Sequence, residues 1–257
     1  MIPYFELTTI NIGPLDIQFW GLMVALGFLV GILFLVHYSQ KQGIASSKIL
    51  DLGLWVILSS IVGSRLFYVI NEWTYFTAHP IEMLYIWEGG LAWYGGMILA
   101  LLAGYIFLRR NKLPMLKIMD GAVIGLAIGE AIGRIGCFFI HDHLGQPTNL
   151  PWGIEINGIV RHETALYSIV ATLAIFVVLI ITQRTERGKQ TGRLTALYFL
   201  LYGITSFLIY QFRATDLPGS DPLWGALRPS QIFSVIAFLA GCWLLYQLKP
   251  SKENNIK

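Results

Sequence analysis

The sequence predicts an all-α polytopic membrane protein with seven transmembrane helices, the N-terminus outside, the C-terminus cytoplasmic, and a small external cap built by long loops. Three observations predict it. Apolar residues make up 55% of the 257 residues and charged residues only 13%, too little polar material for a surface facing water on all sides. Seven stretches are long and apolar enough to cross about 30 Å of hydrocarbon, which takes roughly 20 residues. Lysine and arginine are shared very unevenly among the connecting segments, and short loops rich in them stay in the cytoplasm.

Taken in order, the spans are expected at residues 17–38, 49–70, 91–108, 115–139, 164–182, 194–212 and 230–248. Each should be helical, because a helix satisfies its own backbone polar groups where no water can. The first follows a segment holding Glu6 and Asp16 and lacks a basic start and a small-residue cleavage site, so it reads as a retained span rather than a signal peptide. Lys41, Lys48, Arg109, Arg110, Lys112, Lys117, Arg184, Arg187, Lys189, Arg193, Lys249, Lys252 and Lys257 all fall on one side, which places the C-terminus inside. Residues 1–257 read as one membrane domain, with external segments at 71–90, 140–163 and 213–229 long enough to form the cap.

The external side is rich in Trp73, Tyr75, Tyr85, Trp87, Trp93, Tyr94, Trp152 and Trp224, as expected of amphipathic rings at the headgroup level. In the fourth span Gly121, Gly125, Gly129 and Gly133 recur every four residues and line one ridge for close helix packing. That span also holds Asp120, Glu130 and Arg134, which packing does not require. The net charge of +3 follows from the topogenic bias and implies no nucleic-acid partner. Cys137 and Cys242 lie at different depths of their spans, too far apart for a disulfide. The last span has no lysine to carry a Schiff-base chromophore, and inverted repeats of the transporter kind are not apparent.

The five basic residues left on the external side are all arginines: Arg65, Arg134, Arg161, Arg213 and Arg228. Charges near helix ends inside a bilayer are expensive unless they face a partner or a wet cavity. Structural alternatives exist for each. Arg134 can pair with Glu130 four residues earlier, Arg65 can snorkel to the headgroups, and Arg161 and Arg228 can anchor loops at helix starts. A lysine would snorkel equally well, so the exclusive use of arginine points instead to a shared anion, which the guanidinium fork binds bidentately. At an outer membrane face a phospholipid phosphate is available. Tyr94-Gly95-Gly96 opens the third span with bared backbone, and His141, Asp142 and His143 follow Arg134 closely. Two imidazoles and a carboxylate are also compatible with a metal, although the spacing alone is weak.

Gly133-Arg134-Ile135-Gly136-Cys137-Phe138, with Gly145 beyond, resembles the signature of the prolipoprotein diacylglyceryl transferase family. Trp20-Gly21-Leu22-Met23, Gly63-Ser64-Arg65-Leu66-Phe67-Tyr68, Gly89-Gly90-Leu91, Tyr94-Gly95-Gly96, Arg161-His162, Thr164-Ala165-Leu166-Tyr167 and Phe212-Arg213 with Asp216 fall in the family's order. The resemblance implies a bacterial inner-membrane enzyme, its site facing the periplasm, that moves a diacylglyceryl group from phosphatidylglycerol to the lipobox cysteine thiol of a prolipoprotein and releases glycerol phosphate. It implies catalytic positions at Tyr94, Arg134, Arg213 and Asp142, and substrate-binding positions at Arg134, Arg65, Arg213, Gly95, Gly96, Gly145, His141 and Trp20. No metal or organic cofactor is implied. The chain departs from the family where Tyr94 replaces a histidine, Cys137 an asparagine, Asp142 a glutamate and Glu163 a proline, leaving Tyr94, His141, His143 and Asp142 as alternatives for the group that takes the thiol's proton. A phospholipid-binding protein of the same fold without catalysis is the alternative function.

Overall fold

Apolar runs become helices in the expected places. In the computed structural model, which describes residues 4–13, 15–217 and 224–248, the order is β1 (Thr9–Ile12), β2 (Leu15–Gln18), α1 (Phe19–Lys41), α2 (Ser46–Asn71), a short α3 (Trp73–Ala78), α4 (Trp93–Arg110), α5 (Met115–Ile140), β3 (Leu144–Pro147), β4 (Ile154–Ile156), β5 (Ile159–Glu163), α6 (Thr164–Thr182), α7 (Arg193–Gln211) and α8 (Pro229–Gln247). Among the described residues six helices, α1, α2, α5, α6, α7 and α8, are long and apolar enough to cross a membrane, as a polytopic membrane protein requires. The third expected span is the 18-residue α4, whose last turn carries Arg109 and Arg110; those two charges make it less apolar than its neighbours. Lys249, Lys252 and Lys257 lie outside the described residues.

The all-α expectation needs one correction. Among the described residues five short strands lie outside the helices, two ahead of α1 and three between α5 and α6, because chain outside a helix must still pair its backbone groups. β1 and β2 pair antiparallel from Thr9 opposite Gln18 to Ile12 opposite Leu15. β3, β5 and β4 form a three-stranded sheet in that order. β4 and β5 are joined through Asn157 and Gly158, both at positive φ (52° and 77°), the two-residue turn whose twist matches that of the paired strands.

The chain divides into two compact units, Met1–Leu35 with Met119–Lys257, and Val36–Ile118. In the first, the glycine ridge of α5 meets a second one on α1. A Cβ built on Gly125 would lie 2.4 Å from the Gly31 carbonyl oxygen, and one on Gly129 would lie 2.7 Å from that of Gly27. Backbone therefore touches backbone, the arrangement small residues allow when lipid supplies no hydrophobic drive between helices. Gly133, on the same ridge, has only Val24 Cγ2 at 4.0 Å.

Asp120, 1% exposed, is explained by the same unit. Its Oδ2 accepts from Gly192 N at 2.6 Å and its Oδ1 from Thr195 N at 2.8 Å and Thr195 Oγ1 at 2.7 Å. Gly192 and Thr195 open α7, so a carboxylate from α5 caps another helix whose first N–H groups have no partner of their own. Asp120→Ala strands these donors in a buried site and is expected to lower stability by roughly 2–3 kcal/mol, with Asp120→Asn milder. Thermal unfolding of the detergent-solubilised protein checks the order.

In the second unit α2 and α4 interlock. A Cβ on Gly63 would lie 2.4 Å from the Gly95 carbonyl oxygen, and one on Gly95 would lie 2.3 Å from that of Gly63; one on Gly96 would meet Ser64 Oγ at 2.3 Å. At the far end of the pair, Lys48 Nζ donates to Asn111 Oδ1 at 2.9 Å.

Candidate functional site

The structure gathers several of the sequence-selected residues at one end of the first unit, where α5 and α7 finish and α6 begins. Arg134 stands near the end of α5, Arg213 just beyond α7, and His143 in the short link from α5 to β3. All three line one pocket, together with Glu130 of α5, Thr164 and Ser168 of α6, and Tyr202, Ser206 and Tyr210 of α7. Two guanidiniums face one lining carboxylate, so the pocket carries positive charge in excess.

The Arg134 contact with Glu130 is long, 3.4 Å from Nη2 to Oε1, and Tyr202 Oη donates to the same Glu130 oxygen at 3.3 Å. The ion pair read from the sequence as a structural alternative therefore exists, and it engages one of the five donors that a guanidinium offers. Arg213 is more exceptional. Its Nη1 is buried and has no hydrogen-bond partner among the described residues, and its guanidinium carbon lies 5.9 Å from the Tyr210 ring centroid.

Backbone contacts set the place of Arg213. Arg228 donates from Nη1 to the Ala214 carbonyl at 3.2 Å and from Nη2 to the Arg213 carbonyl at 3.0 Å. Arg161 forks onto Asp216, with Nη1 to Oδ1 at 3.0 Å and Nη2 to Oδ2 at 2.6 Å, and reaches the Gly145 carbonyl at 3.2 Å. That fork holds the Asp216 carboxyl below the usual carboxylate range and raises the Arg161 guanidinium. Arg161 and Arg228 are thus anchors of the turn that presents Arg213, the structural alternative open to them from sequence.

Several of the residues expected to contact substrate also have packing roles. Gly145 bridges to the Arg213 backbone, and a Cβ there would lie 2.5 Å from the Phe212 carbonyl oxygen and 2.6 Å from His162 Cβ, so the close approach of these segments requires glycine. Gly95 and Gly96 are filled from α2, as described above, for the same reason. His141, at φ 50°, has Nδ1 2.9 Å from Glu163 Oε2 and Nε2 2.8 Å from the Phe5 carbonyl oxygen. With both nitrogens occupied it has none left for a substrate proton. Glu163 also accepts from Ala165 N at 3.2 Å to cap α6, and burial raises its carboxyl above the ordinary range. Trp20 packs its Cα and indole edge against Gly136 and stays 45% exposed.

Arg65 lies in the second unit and lines a cavity there with Tyr68, Tyr75 and Glu82. Its guanidinium donates to the carbonyls of Met83 (2.9 Å), Gly89 (2.8 Å), Gly90 (3.1 Å) and Glu82. Gly90 lies at φ 67°, and a Cβ there would meet the Tyr68 ring at 2.3 Å, so glycine is required where this loop folds onto Arg65. Tyr94, 41% exposed in the first turn of α4, sets its ring edge-on to Trp93 at 5.2 Å.

Asp142 and His143 face each other, Oδ1 to Nδ1. Cys137 joins them, the ligating atoms of the three lying within 4.8 Å of one another. That spacing suits a divalent cation, but the guanidiniums sharing the pocket with His143 oppose added positive charge. Cys137 and Cys242 are both free thiols. Sequence reading missed the polar lining of α6 and α7. The signal for it is a period of four, with Thr164 and Ser168 on one helix and Tyr202, Ser206 and Tyr210 on the other, each set on one face.

Fold and pocket together define a polytopic membrane protein with an arginine-lined pocket where α5 and α7 finish and α6 begins. The sequence profile of the prolipoprotein diacylglyceryl transferase family matches residues 8–247, and the chain belongs to that family. It is 37% identical over 244 residues to the phosphatidylglycerol–prolipoprotein diacylglyceryl transferase of Finegoldia magna, with 95% of each chain covered. It is 31% identical to the enzyme of that name from Clostridioides difficile (94% of this chain, 95% of the relative). To that from Synechococcus elongatus it is 32% identical (97% and 91%).

Proposed function

We propose that this protein is the transferase its family describes, acting in lipoprotein maturation. It moves the diacylglyceryl group of phosphatidylglycerol to the thiol of a lipobox cysteine in a prolipoprotein. The observation that carries the reading is the buried Nη1 of Arg213, without a hydrogen-bond partner among the described residues, in a pocket shared with Arg134. An unsatisfied buried donor costs about 1–3 kcal/mol, more when charged, and a phosphate oxygen relieves that cost. In the reaction the thiol sulfur attacks the glyceryl carbon, the carbon–oxygen bond to phosphate breaks with its electron pair on the phosphate oxygen, and glycerol phosphate leaves. Arg134 and Arg213 clamp the phosphate and stabilise the charge that develops on it. Asp142 and Tyr94 are the further catalytic positions we propose; no metal or organic cofactor enters the step.

Around this site we propose one membrane domain over residues 1–257 with seven spans, α4 included, the N-terminus outside, the C-terminus cytoplasmic, and the pocket facing the periplasmic side of the bacterial inner membrane. The thirteen lysines and arginines on the opposite side support that orientation. Phosphatidylglycerol in the bilayer and prolipoprotein precursors are the partners. Incubating the purified protein with phosphatidylglycerol and a lipobox peptide is expected to add one diacylglyceryl unit to the peptide by mass spectrometry. Binding of the lipid with no mass shift overturns the catalytic reading in favour of lipid binding alone.

A further inference from the structure

We infer that the Asp142–His143 dyad takes the proton from the substrate thiol, with His143 Nε2 as the accepting atom. The inference rests on the transferase reading above. A thiol with its ordinary pKa of about 8.5 is mostly protonated at neutral pH, so attack on the glyceryl carbon needs a nearby base.

Among the histidines of the first unit near the pocket, geometry selects His143. Both nitrogens of His141 are occupied by Glu163 and the Phe5 carbonyl. His162 Nδ1 lies 2.7 Å from Tyr167 Oη, and His162 does not line the pocket. His143 does, beside both arginines. Its Nδ1 bonds to Asp142, which fixes the proton on Nδ1 and leaves the Nε2 lone pair as acceptor; among the described residues no partner occupies that nitrogen. Thr164 Oγ1 donates to the His143 carbonyl and fixes its backbone at the start of α6. A carboxylate that orients an imidazole and stabilises the imidazolium formed is the arrangement general-base catalysis uses.

The charged and titratable groups around His143 are Asp142 in its own link, Arg134, Glu130 and Cys137 from α5, Arg213 from the turn after α7, and Tyr202 and Tyr210 from α7. Desolvation, reinforced by Arg134 and Arg213, lowers its pKa, and Asp142 opposes the shift. Because the neutral ring is the base, a lowered pKa keeps His143 competent from below its ordinary value of about 6.5 upward. The balance of the step is simple. The S–H bond breaks and its proton passes to Nε2, the sulfur keeps the electron pair that forms the S–C bond, and the departing phosphate takes the pair from the broken C–O bond.

The test uses the full chain in phosphatidylglycerol nanodiscs, with pH profiles of kcat/KM for the protein and for His143→Gln. Wild type is expected to rise through an apparent pKa below 6.5 and then level, whereas His143→Gln falls roughly 100-fold at neutral pH and recovers towards the thiol's own ionisation near pH 8.5. A selenocysteine peptide, already ionised at neutral pH, is expected to react nearly equally with both proteins. Equal rates with the thiol peptide overturn the assignment, as does a deficit of the same size at every pH and with the selenol, which marks a structural role. A wild-type protein inert towards both peptides overturns the parent transferase reading and the dyad with it.

Discussion

Replacing Arg134 with alanine is expected to abolish diacylglyceryl transfer, with a loss of roughly 10³-fold or more, the scale seen when an arginine stabilising a phosphoryl group is removed. The size follows from the clamp. Arg134 and Arg213 both line the pocket, so without Arg134 a departing phosphate loses one of the two guanidinium forks placed to hold it, and Arg213 alone does not replace that fork whatever the net charge. Arg134→Lys is expected to restore little, because an ammonium offers a point charge where the guanidinium offers a planar fork. The Glu130 contact makes a stability control necessary, since Arg134→Ala leaves that carboxylate to the Tyr202 hydroxyl at 3.3 Å. Adding Glu130→Gln removes the stranded charge, so the double variant should unfold close to wild type while still failing to lipidate. Mass spectrometry of the lipobox peptide, read beside thermal unfolding, separates the two effects. Near-normal transfer by Arg134→Ala would remove Arg134 from the phosphate site.

The second large effect is expected in packing. Gly125→Val should destabilise the first unit by about 3 kcal/mol or prevent assembly, at the upper end of overpacking costs. The Cβ alone would sit 2.4 Å from the Gly31 carbonyl oxygen, and a backbone group cannot turn aside as a side chain can. The reciprocal contacts of Gly27 with Gly129 and of Gly31 with Gly125, at 2.4 Å and 2.9 Å, show that both helices are locked by carbonyls. Gly133→Ala is the control, since its nearest neighbour is a methyl group at 4.0 Å, and it should be close to neutral. Unfolding midpoints of the two purified variants decide between a tight crossing and a glycine ridge of no consequence.

Much of this architecture was legible because membranes impose one-dimensional rules. A run of apolar residues must be helical wherever it crosses, and α6 (Thr164–Thr182) has the bounds read from hydropathy. The glycine ridge of α5 was legible for the same reason, since a period of four marks one face of a helix whatever it packs against. The strands between helices were less so. They contain only three to five residues each, too few for alternation to declare itself.

Site residues divided along a physical line. The restriction of external basic residues to arginine pointed to five positions, yet charge type cannot say what a guanidinium touches. Arg65 turned to loop carbonyls, Arg161 to Asp216, Arg228 to the carbonyls of Arg213 and Ala214, and only Arg134 and Arg213 came to line the common pocket. His141 and His143 are two residues apart and look alike in the sequence. One is enclosed by Glu163 and Phe5 while the other opens on the pocket, a distinction made by groups 22 and 136 residues away along the chain.

By itself, then, the sequence determined the membrane class, the helical runs and the supply of guanidiniums, because hydropathy, charge bias and residue chemistry are local properties. Only the tertiary structure decided which arginines remain available to an anion and which histidine can receive a proton. Those depend on whether a donor or acceptor has already been met by a distant backbone carbonyl or carboxylate, and that is settled by packing in three dimensions.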